Sequence, residues 1–323
     1  MLKALLYIAI AISFGMISQA FAIELGLPLQ CEVGVNCWIQ QYADHDPTSG
    51  TADYTCSSET YNGHDGTDFR VPNITSDVTV VAAAEGQVEA MRDGVSDRLA
   101  TTPELLATVS RVECGNGVVI KHEDGFETQY CHMKMGSLVV KTGDKVAAGT
   151  VLGKVGYSGA AAFPHLHLSV RHKGEKLDPF SGPIAQDCHA LPNSLWSSTA
   201  AKALAYQPTH LLDLGWADRP VSPEALEQGQ IANLTPALSW PALVGYVRLI
   251  NLKMGDTVVM AVSGPSGEVA INKQTLDHDK AQLVLFAGKK INGTWLAGNY
   301  AEQVAVTREG KIILSQKRQA DLK

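Results

Sequence analysis

The stretch Pro164-His165-Leu166-His167-Leu168 alternates imidazole and leucine side chains. Residues i and i+2 of a β-strand point to the same face, so both histidines share one face while the leucines pack into a core on the other. Two imidazoles on one strand face make half of a zinc site, because zinc favours histidine nitrogen. One such pair is more often incidental than a metal site, so its meaning depends on the motifs around it.

Residues 63–69, of sequence GHDGTDF, add a histidine and a carboxylate. Two glycines disfavour a helix here, so we expect His64 on a loop that enters a strand over Thr67–Val71. Asp68 would lie on that strand with Phe69 turned into the core, and the loop would return His64 toward Asp68. Two histidines and one carboxylate leave a fourth tetrahedral position open, which is typical of catalytic rather than structural zinc.

Two further stretches accompany these motifs. Residues 129–132 (QYCH) bring another histidine, His132, and Val140–Gly156 repeats glycines at loop spacing around apolar anchors. The glycine pattern is typical of tightly turning strands in a small barrel or sandwich. Biotinyl and lipoyl carrier domains share it, but the lysine that those carriers modify has no obvious counterpart here.

Taken in order over residues 60–180, these elements resemble the lysostaphin/LytM-type zinc endopeptidases. The matching elements are Gly63-His64-x-Gly66-x-Asp68-Phe69, Tyr130-x-His132, Val140–Gly156, Gly156-x-Ser158-Gly159 and His165-Leu166-His167. The resemblance implies a Zn²⁺ ion bound by His64, Asp68 and His167. It also implies that His132 and His165 are catalytic rather than ligating. The implied activity is hydrolysis of peptide bonds in peptidoglycan, with its stem peptides as substrate.

The chain departs from the family pattern in places. The family often continues the histidine pair as Phe-Glu, whereas Leu168-Ser169 follows here, so we expect altered surroundings of the ligands with activity retained. Residues 92–113 form an insertion that can reshape the cleft wall. The family's additional active-site tyrosine has no clear match, and Tyr61 is left out of the predicted site.

Three other functions stay open at this stage. A non-catalytic relative would bind the wall and switch on another wall hydrolase, but such relatives usually lose zinc ligands and this chain keeps all of them. An endopeptidase for other proteins would differ in cleft shape, which the sequence does not show. A carbohydrate-binding wall anchor would need no metal residues at all.

The composition is that of an ordinary globular protein long enough for two domains. The 323 residues are 45% apolar and 18% charged, with a formal net charge of −7. A protein that binds nucleic acid needs a basic face, so this balance disfavours a nucleic-acid partner. The oligomeric state is not predicted by any of these patterns.

The first residues predict export. Residues 1–22 combine a basic start, the apolar run Ala4–Ile17 and the small-x-small cleavage site Ala20-Phe21-Ala22 of a signal peptide. An uncleaved anchor is the alternative, but the run is shorter than the roughly 20 residues of a span. We therefore expect a periplasmic or secreted protein with no membrane span after signal cleavage.

The six cysteines predict disulfides. An even count in an exported chain favours three bridges, and a thiolate metal site is disfavoured because there is no Cys-x-x-Cys pair. Many connectivities are possible, and short separation supports only the first of our expected pairs. Those pairs are Cys31–Cys37, Cys114–Cys131 and Cys56–Cys188.

The predicted fold class is mostly β: an antiparallel β-sheet peptidase domain with a barrel-sandwich-like (lipoyl-like) core, plus a smaller C-terminal β-sandwich. A helix is expected from Ser194 to Ala205, ended by Pro208. Alternating runs from residue 236 onward suggest an Ig-like sandwich. The predicted divisions are a signal peptide 1–22, an irregular segment 23–60, a zinc peptidase domain 61–190, a helix and linker 191–235, and the C-terminal sandwich 236–323.

Two Asp-His-Asp runs, at 44–46 and 277–279, could be taken for cation sites. Each lies beside a proline or between strands, and we expect solvated turns at both. His189 follows Cys188 and would approach the site if Cys56 pairs with Cys188.

Overall fold

The computed structural model describes residues 23–184, 188, 193–231 and 234–323. The predicted signal peptide and His189 lie outside the described residues. Within these ranges, no helix has the length and apolar character needed to cross a membrane.

The first part of the chain, residues 23–206, is built from short antiparallel strands. Its elements are β1 (Leu29–Gln30), β2 (Trp38–Gln41), β3 (Thr67–Arg70), β4 (Thr79–Val81), β5 (Gly86–Arg92), α1 (Pro103–Thr108), β6 (Asn116–Lys121), a 3-10 turn (Glu123–Gly125), β7 (Phe126–Met133), β8 (Lys145–Val146), β9 (Val151–Lys154), β10 (His165–His172), β11 (Glu175–Asp178), β12 (Gly182–Pro183) and α2 (Ser198–Ala203).

These strands form a nine-stranded sheet and a three-stranded sheet. The larger sheet has the order β12-β11-β10-β7-β6-β5-β8, with β3 beside β10 and β2 beside β3; the smaller has the order β1-β4-β9. Strand β10 shows how the sequence pattern builds the core, because Leu166, Leu168 and Val170 are fully buried in one apolar cluster. The predicted alternation along His165–Leu168 is therefore confirmed, and it fixes which face of the sheet carries the imidazoles.

The C-terminal part contains two more antiparallel sheets. Their elements are β13 (His210–Ala217), α3 (Pro223–Glu227), β14 (Ala242–Leu252), β15 (Thr257–Gly264), β16 (Gly267–Thr275), β17 (Lys280–Lys290), β18 (Gly298–Arg308) and β19 (Lys311–Leu322).

One sheet has the order β13-β14-β17 and the other β16-β15-β18-β19. A shared core that includes Leu243, Val247, Val258 and Val304 lies between them. The prediction of a mostly β, antiparallel chain with a C-terminal sandwich is confirmed.

The stretch expected to be a linker contains a strand and a helix. Residues 210–217 form β13, which pairs with β14 from His210 to Ala217, and Pro223–Glu227 form a helix. Proline at a first helical position begins a helix rather than interrupting one, and Ser222 caps it by accepting a hydrogen bond from Ala225 N–H. The stretch therefore belongs structurally with the C-terminal sheets.

Other expectations near this point change only in extent. The predicted helix from Ser194 to Ala205 is confined to Ser198–Ala203, since Ser197 is the capping residue. The segment 23–60 is irregular over most of its length, but β1 and β2 give it sheet contacts. All three expected disulfides are present, Cys31–Cys37, Cys56–Cys188 and Cys114–Cys131.

Candidate metal centre and active-site cleft

The three side chains expected to bind metal meet on one face of the larger sheet. His64 Nε2 lies 3.1 Å from both Asp68 Oδ1 and His167 Nδ1, and Asp68 Oδ1 lies 2.9 Å from His167 Nδ1. Among the described residues, they are the one group of three or more His, Cys, Asp or Glu side chains with this geometry. A tetrahedral zinc ion bonded at about 2.0–2.1 Å keeps its donor atoms about 3.3 Å apart, so the three residues fit zinc.

The pairing of β3 with β10 sets two of these side chains opposite each other. Asp68, which lies on a strand as predicted, is the register partner of His167. The loop that carries His64 passes close to the His167 ring. A Cβ on Gly66 would lie only 2.7 Å from His167 Cε1, so this position of the motif has room for glycine alone.

Residues from the N-terminal segment hold His64 in place. The His64 Nδ1–H group donates to the Tyr42 carbonyl oxygen at 2.6 Å, which leaves Nε2 free for a metal. The Gly63 N–H group donates to Asp44 Oδ2 at 2.8 Å, and the Asp44 N–H group donates to the His64 carbonyl oxygen. No sequence pattern points to Tyr42 and Asp44, because they lie about 20 residues from the histidine that they orient.

The expectation of a solvated turn at 44–46 is wrong. Asp44 and His45 are buried. Their polar atoms have partners in the interior, because Asp44 accepts backbone hydrogen bonds and His45 Nε2 lies 2.8 Å from Asp178 Oδ2. The side chains of Asp44 and His45 are therefore buried structural groups and not solvated surface groups. The run at 277–279 is exposed, as expected.

His167 is oriented by two neighbours. Its Nε2–H group donates to Ser169 Oγ at 2.8 Å, which leaves Nδ1 facing the other two ligands. Asp65 Oδ1 lies 3.4 Å from the same Nε2, and Lys176 Nζ holds the other carboxylate oxygen at 2.8 Å. The altered surroundings expected at residue 169 therefore consist of a hydroxyl next to the ring and a carboxylate that approaches from the His64 loop.

The charges at the centre complement each other. Burial raises the pKa of Asp68, but His64, His165 and His167 outweigh it and hold that pKa well below its usual value. Burial lowers the pKa of His167, but the bonds to Asp65 and Asp68 raise it overall to about 9. In the absence of a metal ion, the site thus pairs an ionised carboxylate with a protonated imidazole.

The two remaining histidines lie beside this centre. The His132 and His165 rings are 4.6 Å apart between centroids, and His165 Nε2 lies 3.6 Å from Asp68 Oδ1. Each Nδ1–H group donates to a backbone carbonyl, that of Ser158 at 2.8 Å for His132 and that of Phe163 at 2.7 Å for His165. These bonds leave both Nε2 atoms as unprotonated acceptors.

Both histidines are kept neutral. Burial is the main cause that lowers their pKa values, and the neighbouring imidazoles add to it. His132 also has a φ of 60°, a left-handed conformation that is uncommon outside glycine and is held here by its N–H bond to the Cys114 carbonyl oxygen. The structure thus brings all five predicted site residues into one cluster.

A cleft of about 230 Å³ opens over the cluster. Its walls include His132, His167, the Cys114–Cys131 disulfide and Tyr61. The Tyr61 ring stacks on His64 with 4.4 Å between centroids, so Tyr61 belongs to the site although the sequence prediction omitted it. The sequence signal that could have identified Tyr61 is its position three residues before His64.

Comparison with known proteins identifies similar domains. Residues 62–179 match the model of the family described as peptidase family M23. The DD-carboxypeptidase/endopeptidase Mpg of Neisseria meningitidis is 39% identical over 67 residues, 21% of this chain and 15% of that protein. The peptidoglycan DD-endopeptidase ShyA of Vibrio cholerae is 30% identical over 121 residues, 38% of this chain and 23% of that protein.

The matches are confined to part of each relative. The chain spans 15% of the length of Mpg and 23% of the length of ShyA. Among solved structures, the catalytic domain of the antimicrobial peptidase lysostaphin from Staphylococcus simulans is 24% identical, covers 43% of this chain and 85% of that one, and has a TM-score of 0.27.

Proposed function

We propose that this chain, which contains a peptidase family M23 domain over residues 62–179, is a zinc-dependent endopeptidase that hydrolyses peptide cross-links of bacterial peptidoglycan. The observation that carries the proposal is the convergence of His64, Asp68 and His167 beside two neutral histidines, of which His132 lines the cleft and His165 lies next to it. Two nitrogen donors and one carboxylate favour zinc, and they leave room for a substrate or water.

The protein's own residues divide the work around the ion. His64 Nε2, Asp68 Oδ1 and His167 Nδ1 would bind it, and their other polar atoms are already engaged by neighbours that fix the ring orientations. When bound, zinc polarises a carbonyl group and lowers the pKa of water, which favours hydrolysis at neutral pH.

His132 and His165 would handle the protons. One neutral Nε2 accepts a proton from the attacking water, and the protonated ring that results stabilises negative charge on the carbonyl oxygen and donates that proton to the leaving amine. Their Nδ1–H bonds to backbone carbonyls keep Nε2 aimed at the cleft throughout. The 4.6 Å between the rings allows both to reach one peptide bond.

The proposed substrate follows from the relatives. The relatives described above are named as a DD-carboxypeptidase/endopeptidase and a peptidoglycan DD-endopeptidase, so peptidoglycan stem peptides are the proposed substrate class here. Three disulfides suit an oxidising compartment, which agrees with action in the periplasm or outside the cell.

The test is digestion of purified peptidoglycan by the wild-type protein and by His167→Ala, with His278→Ala as the matched control on an exposed histidine. We expect mass analysis of the released muropeptides to show cut cross-links with the wild type and the control only. Equal release by His167→Ala would remove zinc hydrolysis. Binding to peptidoglycan with no release by any variant would instead favour a non-catalytic regulator.

A further inference from the structure

A buried charged cluster joins the two parts of the molecule directly behind the site. Arg70 Nη2 donates to Glu227 Oε1 and Oε2 at 2.7 and 2.5 Å, and Arg248 Nη1 donates to Glu227 Oε2 at 3.2 Å. Arg70 and Arg248 are each 1% exposed and Glu227 is 7% exposed. Arg70 belongs to β3, whereas Glu227 and Arg248 come from α3 and β14 of the C-terminal part.

Arg70 is also a direct neighbour of the site. It follows the ligand Asp68 by two residues and is the register partner of His165 across β3 and β10. Its guanidinium lies over the Phe163 ring at 4.8 Å, and the Phe163 ring lies 4.4 Å from the His165 ring. The Phe163 carbonyl oxygen accepts the His165 Nδ1–H bond.

The position of the Arg70 guanidinium depends on the glutamate. Arg70 is almost completely buried, so its guanidinium has been removed from water at a cost that a counter-charge must offset. Besides Glu227, Gln40 Oε1 accepts a bond from it at 2.7 Å, but an amide oxygen carries no charge to compensate it. Loss of the carboxylate would leave the buried Arg70 beside a second cation, Arg248, without its counter-charge, and Arg70 would move away from the aromatic ring toward water.

We infer that Glu227 is a positioning residue for His165 and acts on it through Arg70 and Phe163, an inference that rests on the proposed function of His165. The C-terminal part is then a component of the catalytic apparatus and not an independent appendage. The α3 helix is fixed to the first part by its backbone as well, because the Glu227 carbonyl oxygen accepts the Ile74 N–H group at 2.9 Å.

The test compares Glu227→Gln with Glu224→Gln, an exposed glutamate on the same helix, and with Phe163→Leu, which keeps an apolar side chain but removes the ring. Hydrolysis of a soluble cross-linked muropeptide gives kcat and KM, and zinc content is measured for each protein. We expect Glu227→Gln and Phe163→Leu to lower kcat about ten- to a hundredfold, with KM and zinc content nearly unchanged. Glu224→Gln should match the wild type.

The double variant decides whether the two residues act on one route. Combined with Phe163→Leu, Glu227→Gln should cost no more than the larger single effect; multiplied effects, or an unchanged kcat in Glu227→Gln, would overturn the inference. Should Glu227→Gln fail to fold, Arg70→Lys takes its place in the cycle, since lysine keeps the charge but loses the planar group over the ring.

A readout without turnover separates this inference from the proposed function. The His165 Nδ1–H signal in ¹H–¹⁵N spectra should exchange slowly with water in the wild type and in Glu224→Gln, and rapidly in Glu227→Gln. Absence of hydrolysis by the wild type would refute the proposed function, while the exchange of this signal still tests the coupling. Slow exchange in Glu227→Gln would refute the coupling even if the wild type cuts peptidoglycan.

Discussion

Buried acidic side chains occur in both parts of the molecule, but their surroundings are opposite. Asp68 in the first part contacts three imidazoles at the edge of a cleft. Glu302 in the C-terminal sandwich is fully buried, and the Tyr246 backbone and the charge of Arg318 offset this burial only in part. Burial therefore raises the pKa of Glu302 to about 8, whereas the pKa of Asp68 is held low.

This contrast distinguishes a buried carboxylate that can bind a ligand from one that only affects stability. A buried carboxylate that converges with other donors at an open cleft can bind and act, because its charge is compensated and reachable. A buried carboxylate between two sheets, whose charge is only partly compensated, mainly lowers stability. The predictions that follow test this distinction.

The largest contrast is expected in activity. Asp68→Asn should lower kcat/KM by a factor on the order of 10³ or more and abolish zinc binding, because the amide cannot supply the charged ligand. Glu302→Gln should leave both unchanged. The measurements are zinc content by mass spectrometry and release of muropeptides; a zinc-loaded, active Asp68→Asn protein would contradict the assignment.

The second prediction concerns protons displaced by the metal. Because the pKa of His167 is raised to about 9 without metal, the imidazole holds a proton at pH 7 that zinc must expel. Zinc affinity should therefore rise about tenfold per pH unit between pH 6 and 8, with release of about one proton per ion. Calorimetry in buffers of different ionisation enthalpy measures the release. An affinity that does not change with pH would refute the protonated state.

The third prediction concerns the disulfide in the cleft wall. Replacing Cys114 and Cys131 by serine frees the backbone that fixes His132, so kcat should fall about tenfold. The loop closed by this bridge has a sequence separation of 17, and its loss should lower the free energy of unfolding by about 3 kcal/mol. The double serine variant at Cys31 and Cys37 is the matched control, with a separation of 6 and no contact with the cleft, and should keep wild-type kcat.

The smallest effect on activity is expected in the sandwich, where a substitution should change only the stability. Glu302 has a raised pKa of about 8 against an ordinary value of 4.5, so the folded state keeps a proton that the unfolded state loses between these pH values. Wild-type stability should fall as the pH rises through this window, and Glu302→Gln should remove the fall, with a gain on the order of 4 kcal/mol at pH 8.5 and little change at pH 4.5. Urea unfolding at both pH values measures it. Glu268→Gln, at an exposed site, should behave as the wild type. The same change of the unfolding free energy with pH in all three proteins would contradict the prediction.

Local pattern predicted the parts of the site that lie on one strand or one loop. The alternation at His165–Leu168 determines a strand face, and the glycines around His64 determine a loop, so both motifs could be interpreted without a structure. The resemblance to a known family then supplied His132 and the role of each histidine.

The rest depends on residues far apart in the chain. The residues around Asp44 predict a solvated turn because none of them indicates that the Gly63 N–H group, 19 residues later, will donate to its carboxylate. Likewise, part of the stretch expected to be a linker is a strand, since the pairing of β13 with a strand some 30 residues later leaves no trace in local composition. The Arg70–Glu227 pair, 157 residues apart, was beyond any pattern of the sequence for the same reason.

The register of β3 against β10 has one more consequence. A slip of one residue would turn Asp68 away from His167 and expose Leu166 and Leu168, so apolar packing and ligand geometry fail together. Ion uptake then reports directly on whether the sheet has assembled. Under the proposed function, a chain whose strands are misaligned would therefore lack both the ligand set and the activity that depends on it.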